Sequence, residues 1–277
     1  MDSHQKNQGR RRKHTNRPKN NNDKSTLEEL LKNTLQGAGN ILGIESISNI
    51  GQPSKEEHTV SSDIAGDFEI YLFAQLWAPR FCCTKQKQCK EEQNKNDLTV
   101  HGLWPAYQSP RQAGLTYPSY CNNYVATKSK DKLTIHEWKK HGTCTSLTFD
   151  QYITESIKIE SNNENINSLR DYLNDNAGGT VKIDDIFQYV GGNKKIAVMS
   201  NKYCQLQEIT TCFSKNQDGT IDKQIDCPKH VLASSRNSAV LNGCKQLALD
   251  SIEANKCRYI TKELLNKLKS TSVSNEI

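Results

Sequence analysis

Hydrophobic and polar positions along the chain follow patterns that predict both strands and helices. Runs of β-branched and aromatic residues at 68–77 and 98–104 have the length of strands, and Pro105 is expected to end the second. Residues 205–214 and 220–225 flank a polar turn and form a predicted hairpin. Helical periodicity marks residues 133–141, 149–174, 184–190 and 262–268. Because strands and helices do not alternate regularly, we expect an α+β fold with a central antiparallel sheet and flanking helices.

The first 66 residues lack this core pattern. Residues 1–24 are basic and Asn-rich with almost no large apolar side chains, so we expect a disordered tail. Capping-box pairs, such as Ser25 with Glu28, open a short amphipathic helix that Gly37 ends, and a polar linker follows. We therefore expect three segments: a tail at 1–24, a helix and linker at 25–66, and a folded domain at 67–270.

Charge limits the classes of function that composition can support. The tail holds eight Lys/Arg and two Asp/Glu, so it alone accounts for the net charge of +6, and the rest of the chain is balanced. Overall charge is therefore no argument that the folded domain binds nucleic acid. No apolar run approaches the roughly 18 residues that a membrane span needs, so we expect no membrane partner.

Ten cysteines lie between residues 82 and 257, and none forms a Cys-x-x-Cys pair. This spacing argues against a zinc finger or a thioredoxin-like redox site. An even number of spread cysteines favours disulfides, which persist in the secretory pathway and outside the cell. The amino terminus has no apolar stretch typical of a signal peptide, so a cytoplasmic or nuclear location stays open.

Four ionisable side chains crowd one predicted helical segment: His136, Glu137, Lys140 and His141. On a helix they form one arc, and Trp138 falls on the other side. A solvated helix face is the alternative interpretation. Metalloprotease helices with the His-Glu-x-x-His signature carry His at i and i+4, whereas these two histidines are five positions apart and Lys140 adds a cation, so we expect no metal. Together the four groups suit an anion that gains charge during reaction, such as a phosphoryl centre.

A fifth candidate, His101, lies at the end of a predicted strand, directly before Gly102 and near Trp104. Glycine permits close approach of the backbone to a neighbouring group. A single histidine in this position is more often structural than catalytic, so its interpretation depends on its neighbours.

The two segments together resemble the paired active-site motifs of the ribonuclease T2 family, the acid endoribonucleases. The motifs are HGLWP at 101–105 and HEWKKHGTC at 136–144. The similarity extends to QLW at 75–77 with Cys82, and it covers roughly 67–260, leaving the tail and linker uncovered. The resemblance implies that the folded domain is a T2-like catalytic domain.

By this resemblance, the protein is a metal-independent endoribonuclease without cofactor. It would act as a monomer on single-stranded RNA, by transphosphorylation through a 2′,3′-cyclic phosphate, with little base specificity. The implied roles are general acid for His101, general base for His141, phosphate ligand for His136, stabilisation of the phosphorane for Glu137 and Lys140, and base contacts for Trp104 and Gln75. Lys140 is expected to lower the pKa of the neighbouring histidines and to move the pH optimum to the acid side.

The resemblance also bears on disulfides, location and the alternative function. It implies the bridges Cys121–Cys144 and Cys212–Cys227 and an extracellular or lysosomal/vacuolar location. We further expect Cys82–Cys89, and Cys204 paired with Cys244 or Cys257, with Cys83 taking the remaining partner. The alternative function is a non-catalytic RNA- or polyanion-binding protein of the same fold that acts through its basic tail.

Overall fold

The computed structural model describes residues 64–89, 94–121, 129, 132–253 and 257–270. The predicted tail, the short helix after it and nearly all of the predicted linker lie outside the described residues.

A five-stranded antiparallel sheet forms the centre of the domain. Its strands lie in the order β2 (Leu98–Ala106), β1 (Ile70–Trp77), β5 (Leu206–Lys215) and β4 (Ile196–Ser200), and β6 (Ile221–Ile225) pairs with the end of β5. A second, two-stranded sheet joins β3 (Thr180–Lys182) to β7 (Gln246–Ala248). In the described residues the α-helices are α1 (Ala78–Thr84), α2 (Lys132–Lys140), α3 (Phe149–Asn162), α4 (Glu164–Asp175), α5 (Ile183–Tyr189), α6 (Lys229–Leu232), α7 (Ser238–Leu241) and α8 (Lys262–Lys269).

Strand β1 is buried along its whole length because both of its faces are covered. Tyr71 and Phe73 point into one apolar cluster with Trp138 of α2 and Tyr152 of α3. Alternate residues, including Leu72, belong to a second cluster on the opposite face. Strand β1 therefore supports both elements that carry the candidate residues: β2 pairs with it, and α2 packs on it through Trp138.

The expected fold class is confirmed: an α+β domain with a central antiparallel sheet, flanking helices and five disulfides. Several details differ from the sequence patterns. The helical stretch at 149–174 is two helices, because the side chain of Asn163 accepts a hydrogen bond from the backbone of Ile166 and starts α4 anew. Strand β2 continues past Pro105 to Ala106; it lies at one end of the described strand order, where a residue without an N–H is tolerated. Strands β3, β4 and β7 and the short helices α1, α6 and α7 were not predicted.

All ten cysteines are paired. Cys121–Cys144, Cys212–Cys227 and Cys82–Cys89 are the pairs expected from the sequence. Of the two partners left open for Cys204, the structure pairs it with Cys244, and Cys83 joins Cys257. Cys144 follows α2 closely, so its bridge ties the carboxyl end of that helix to the segment after β2. Within the described residues, no helix combines the length and the hydropathy that crossing a bilayer requires.

We expect that replacing Cys121 and Cys144 together by serine lowers the free energy of unfolding by about 2–5 kcal/mol, because the bridge restricts the unfolded chain. Urea denaturation measures the change. A double replacement of Cys212 and Cys227 is the matched control, since the two bridges join residues 23 and 15 positions apart. The two losses are expected to agree within about 1 kcal/mol, and a 121/144 variant as stable as the parent protein contradicts the prediction.

Candidate active site

His101 occupies an irregularity in the pairing of β2 with β1. Ala74 pairs with Gly102 and Gln75 with Val100, so His101 is the extra residue of a β-bulge. Bulges re-aim a side chain relative to the regular alternation of a strand. His101 is 3% exposed, and its Nδ1 lies 2.6 Å from Oε2 of Glu208. Its Nε2 is buried and has no hydrogen-bond partner among the described residues.

The last turn of α2 and the residue after it supply the other candidates. Glu137 is 2% exposed. The next residue of the helix, Trp138, packs in the core, where its ring contacts that of Phe149 edge-on with 5.5 Å between the centroids. His136 is half-buried. His141 follows the helix directly and is buried.

Trp104 of β2 connects this strand to α2. Its indole Nε1 donates a hydrogen bond to Oε2 of Glu137 at 2.6 Å. The centroid of its ring lies 5.1 Å from that of His101 and 5.4 Å from that of His141. The guanidinium of Arg236 lies 4.3 Å from the ring centroid. One indole therefore contacts a strand histidine, a helix carboxylate, a post-helix histidine and an arginine.

Gly102 is required for this arrangement. A Cβ at this position would stand 2.5 Å from Nε1 of Trp104 and closer still to Oε2 of Glu137. These two atoms are the donor and the acceptor of the indole hydrogen bond. Only glycine lets β2 pass this close to α2, which is the close approach that the sequence suggested.

Burial and charge separate the pKa values of the three histidines. For His101, burial lowers the pKa, but the hydrogen bond and charge of Glu208, with Glu137, outweigh it, so the net pKa is raised. For His141, burial and then the cations Lys140 and Arg236 hold the pKa well below its ordinary value. Burial and Lys140 also lower the pKa of His136. Lys140 acts in the expected direction, although burial is the larger cause.

The carboxyl of Glu137 behaves in the opposite way. Burial raises its pKa, against the opposing influence of His101, the Trp104 hydrogen bond and Lys140. Its Oε1 is buried without a hydrogen-bond partner among the described residues.

Four buried polar atoms of the cluster thus lack partners within the described part of the chain. They are His101 Nε2, His136 Nε2, Glu137 Oε1 and His141 Nδ1. Native proteins rarely leave buried polar atoms unpaired, and groups of them mark places where a ligand completes the bonding. A tetrahedral oxyanion with several oxygens suits such a set, and the positive charge of Lys140 acts on His136, Glu137 and His141.

The two expected base-contact residues are placed differently. Trp104 is 4% exposed and is engaged with Glu137 and Arg236, so it supports the site and presents no open face in this structure. Gln75 is fully buried, and both atoms of its amide lack a partner among the described residues, so the backbone does not satisfy it. Contact of either residue with a base stays a prediction.

Three residues of this region were missed from the sequence. Glu208 on β5 and Arg236 in the turn at Ser235–Asn237 contact His101 and Trp104. The ring of Tyr117, 39% exposed, lies 5.9 Å from that of His141. Glu208 had a usable signal, since it lies inside a predicted strand, and a glutamate there must be paired when it is buried. Arg236 and Tyr117 had none, because they lie in irregular segments.

We expect Gly102→Ala to break the indole hydrogen bond between Trp104 and Glu137 and to destabilise the fold by about 1–3 kcal/mol through overpacking. The indole N–H resonance of Trp104 by NMR and urea denaturation measure the two effects. Trp104→Phe is the comparison variant, because it removes the same donor without adding an atom at position 102. A Gly102→Ala protein that keeps the hydrogen-bonded resonance and full stability contradicts the prediction.

Comparison with known proteins identifies the family. The model of the Ribonuclease T2 family matches residues 68–132 and 123–227. "Ribonuclease DdI" of Dictyostelium discoideum is 27% identical over 220 residues, which cover 68% of this chain and 91% of that protein. "Ribonuclease 1" of Arabidopsis thaliana is 32% identical over 120 residues, 33% of this chain and 49% of that protein, so the match spans about half of its length.

Among solved structures, the self-incompatibility-associated SF11-RNase of Nicotiana alata is 20% identical, with a TM-score of 0.45. That match covers 58% of this chain and 92% of the SF11-RNase. The family model alone extends over more than half of the 277 residues and includes both segments of the candidate site. The chain therefore belongs to the ribonuclease T2 family.

Proposed function

We propose that this T2-family enzyme is an endoribonuclease that cleaves single-stranded RNA by transphosphorylation, without a metal ion and with little base specificity. Two histidines with opposite pKa shifts support this assignment most directly. His101 has a raised pKa and His141 a lowered one, and both rings contact Trp104 from different elements. One protonated and one neutral imidazole in one site are what concerted acid and base catalysis needs.

In the proposed reaction the 2′-hydroxyl of the substrate is the nucleophile. Its oxygen attacks the adjacent phosphorus while neutral His141 takes its proton. The bond from phosphorus to the 5′-oxygen of the next nucleotide breaks, and His101 protonates that leaving oxygen. The products are a 2′,3′-cyclic phosphate and a 5′-hydroxyl end. Because the nucleophile is already held next to phosphorus, proximity replaces activation of a water by a metal.

The remaining site residues stabilise the charge that develops on phosphorus. His136 and Lys140 would bind the non-bridging oxygens of the phosphorane, which carry more negative charge than those of the diester. Glu137 has a raised pKa, and its Oε1 has no partner in the described part of the chain, so its carboxyl can share a proton with such an oxygen. Trp104 holds the other oxygen of Glu137 and so orients the carboxyl.

Five disulfides bear on where the enzyme works. Bridges of this kind persist in oxidising compartments. We therefore place the enzyme outside the cell or in a lysosome or vacuole.

We expect purified protein to cut RNA in the presence of EDTA and to leave 2′,3′-cyclic phosphate ends. Loss of either proton-transfer group lowers the rate by about 100- to 10,000-fold, so His101→Ala and His141→Ala are expected to fall by this amount. Gel analysis with end-group mass spectrometry measures both. His230→Ala is the matched control, because this partly buried histidine lies on α6 outside the cluster. Cleavage that needs a divalent metal, or that survives both site replacements, overturns the proposal.

The pKa directions set the pH dependence. His141 must be neutral, so activity is lost as pH falls through its lowered pKa, and this acid limb lies below about 6.5, the ordinary value for histidine. His101 must be protonated, so activity is lost as pH rises through its raised pKa, above about 6.5. A plot of kcat/KM against pH at constant ionic strength is therefore expected to show a broad bell that includes pH 6.5. An acid limb above that pH contradicts the assignment of the base.

A further inference from the structure

Glu208 is a buried carboxylate in the middle of the central sheet. On β5 it stands opposite Leu76 of β1 and Met199 of β4, and it is 3% exposed. A carboxylate in such a place costs free energy unless several partners compensate for the lost water. The partners of this carboxylate therefore indicate its role in the site.

The two oxygens of this carboxylate have different partners. Oε2 faces Nδ1 of His101 at 2.6 Å, across 107 positions of sequence. Oε1 lies 3.5 Å from the Nη1 of Arg236, and Thr210 donates a weaker hydrogen bond to it at 3.4 Å. The histidine contact is the shortest of the three, so it carries most of the compensation.

This contact determines which nitrogen of His101 is chemically available. An ionised carboxylate only accepts hydrogen bonds, so the proton of the neutral imidazole stays on Nδ1. Nε2 is then the nitrogen that gains and loses a proton, and it is the atom left without a partner among the described residues. Without Glu208, the neutral ring is free to carry its proton on Nε2. Nδ1 would then be a buried nitrogen without the hydrogen bond to Glu208.

Arg236 connects this pair to the rest of the site. Its guanidinium balances Glu208 on one side and lies over the ring of Trp104 on the other. The same indole bonds to Glu137. A displacement of Arg236 would therefore disturb both carboxylates of the cluster.

We propose that Glu208, held by Arg236, is the positioning residue of His101: it fixes the tautomer with the proton on Nδ1 and so presents Nε2 to the leaving oxygen. The role of Glu208 in the reaction rests on the proposed ribonuclease function. Its effect on the tautomer of His101 does not depend on that function. Charged and titratable groups face His101 from several elements: Glu208 on β5, Glu137 and His136 on α2, His141 after it, and Arg236.

The test uses the folded protein without substrate as well as with it. NMR of ¹⁵N-histidine-labelled protein reports the tautomer and the pKa of His101 directly, with a His101→Asn variant to assign the signals. In the parent protein we expect the Nδ1–H tautomer above the pKa. In Glu208→Gln, which keeps the shape but removes the charge, we expect the pKa of His101 to fall, since burial and Arg236 then meet less opposition.

With RNA, the same variant is expected to lose about 10- to 100-fold in kcat with little change in KM. The alkaline limb of its pH profile is expected to move to lower pH. Glu208→Asp keeps the charge and should retain the Nδ1–H tautomer and a raised pKa. Glu155→Gln is the matched control: Glu155 is a carboxylate of similar burial that bonds to Lys158 and the backbone of Ile221, so its loss affects stability and leaves the pH profile unchanged.

An Nε2–H tautomer in the parent protein overturns the proposal, and so does an unchanged His101 pKa in folded Glu208→Gln. If that variant does not fold, the tautomer of the parent protein and the pKa in Glu208→Asp decide instead. A protein that cuts no RNA but shows the expected tautomer and pKa change would refute the ribonuclease function while supporting the role of Glu208, so the two failures are distinguishable.

Discussion

The close approach of β2 to α2 at Gly102 is the constraint on which the site depends. It brings the indole of Trp104 within hydrogen-bond distance of Glu137, and it does so at a point where no side chain larger than hydrogen fits. Because His101 neighbours this glycine in the strand and His141 follows the helix, the contact also sets the separation of the two imidazoles. Tyr152 of α3 reinforces it by donating a hydrogen bond to the backbone carbonyl of Leu103 at 2.6 Å.

Charge balance is the second requirement, because the cluster lies largely out of water. Two buried carboxylates, Glu137 and Glu208, face several cationic or protonatable groups. The neighbours of each histidine within this set decide its pKa. Glu208 raises the pKa of His101, whereas Lys140 and Arg236 add to burial in lowering the pKa of His141. Similar burial therefore yields an imidazole that keeps its proton and one that gives it up.

The sequence was sufficient for the α+β class, for the longer strands and helices, and for noticing the four ionisable residues of 136–141, which lie close together along the chain. His101 lies 35 positions earlier and was singled out only with the family resemblance. The sequence was insufficient where the outcome depends on long-range pairing. Glu208 is brought to His101 by the register of β5 on β1, and a strand pattern does not determine that register. Strand β4 is five residues of apolar character without alternation, which periodicity cannot distinguish from buried helix.

The bulge at residue 101 has an evolutionary consequence. It uses one surplus residue in β2 to put the acid imidazole beside Glu208 while the flanking residues remain in register with β1. A single-residue insertion or deletion within 98–106 would either remove that surplus or double it, and would turn the imidazole away from its carboxylate. Related chains should therefore keep this strand free of gaps.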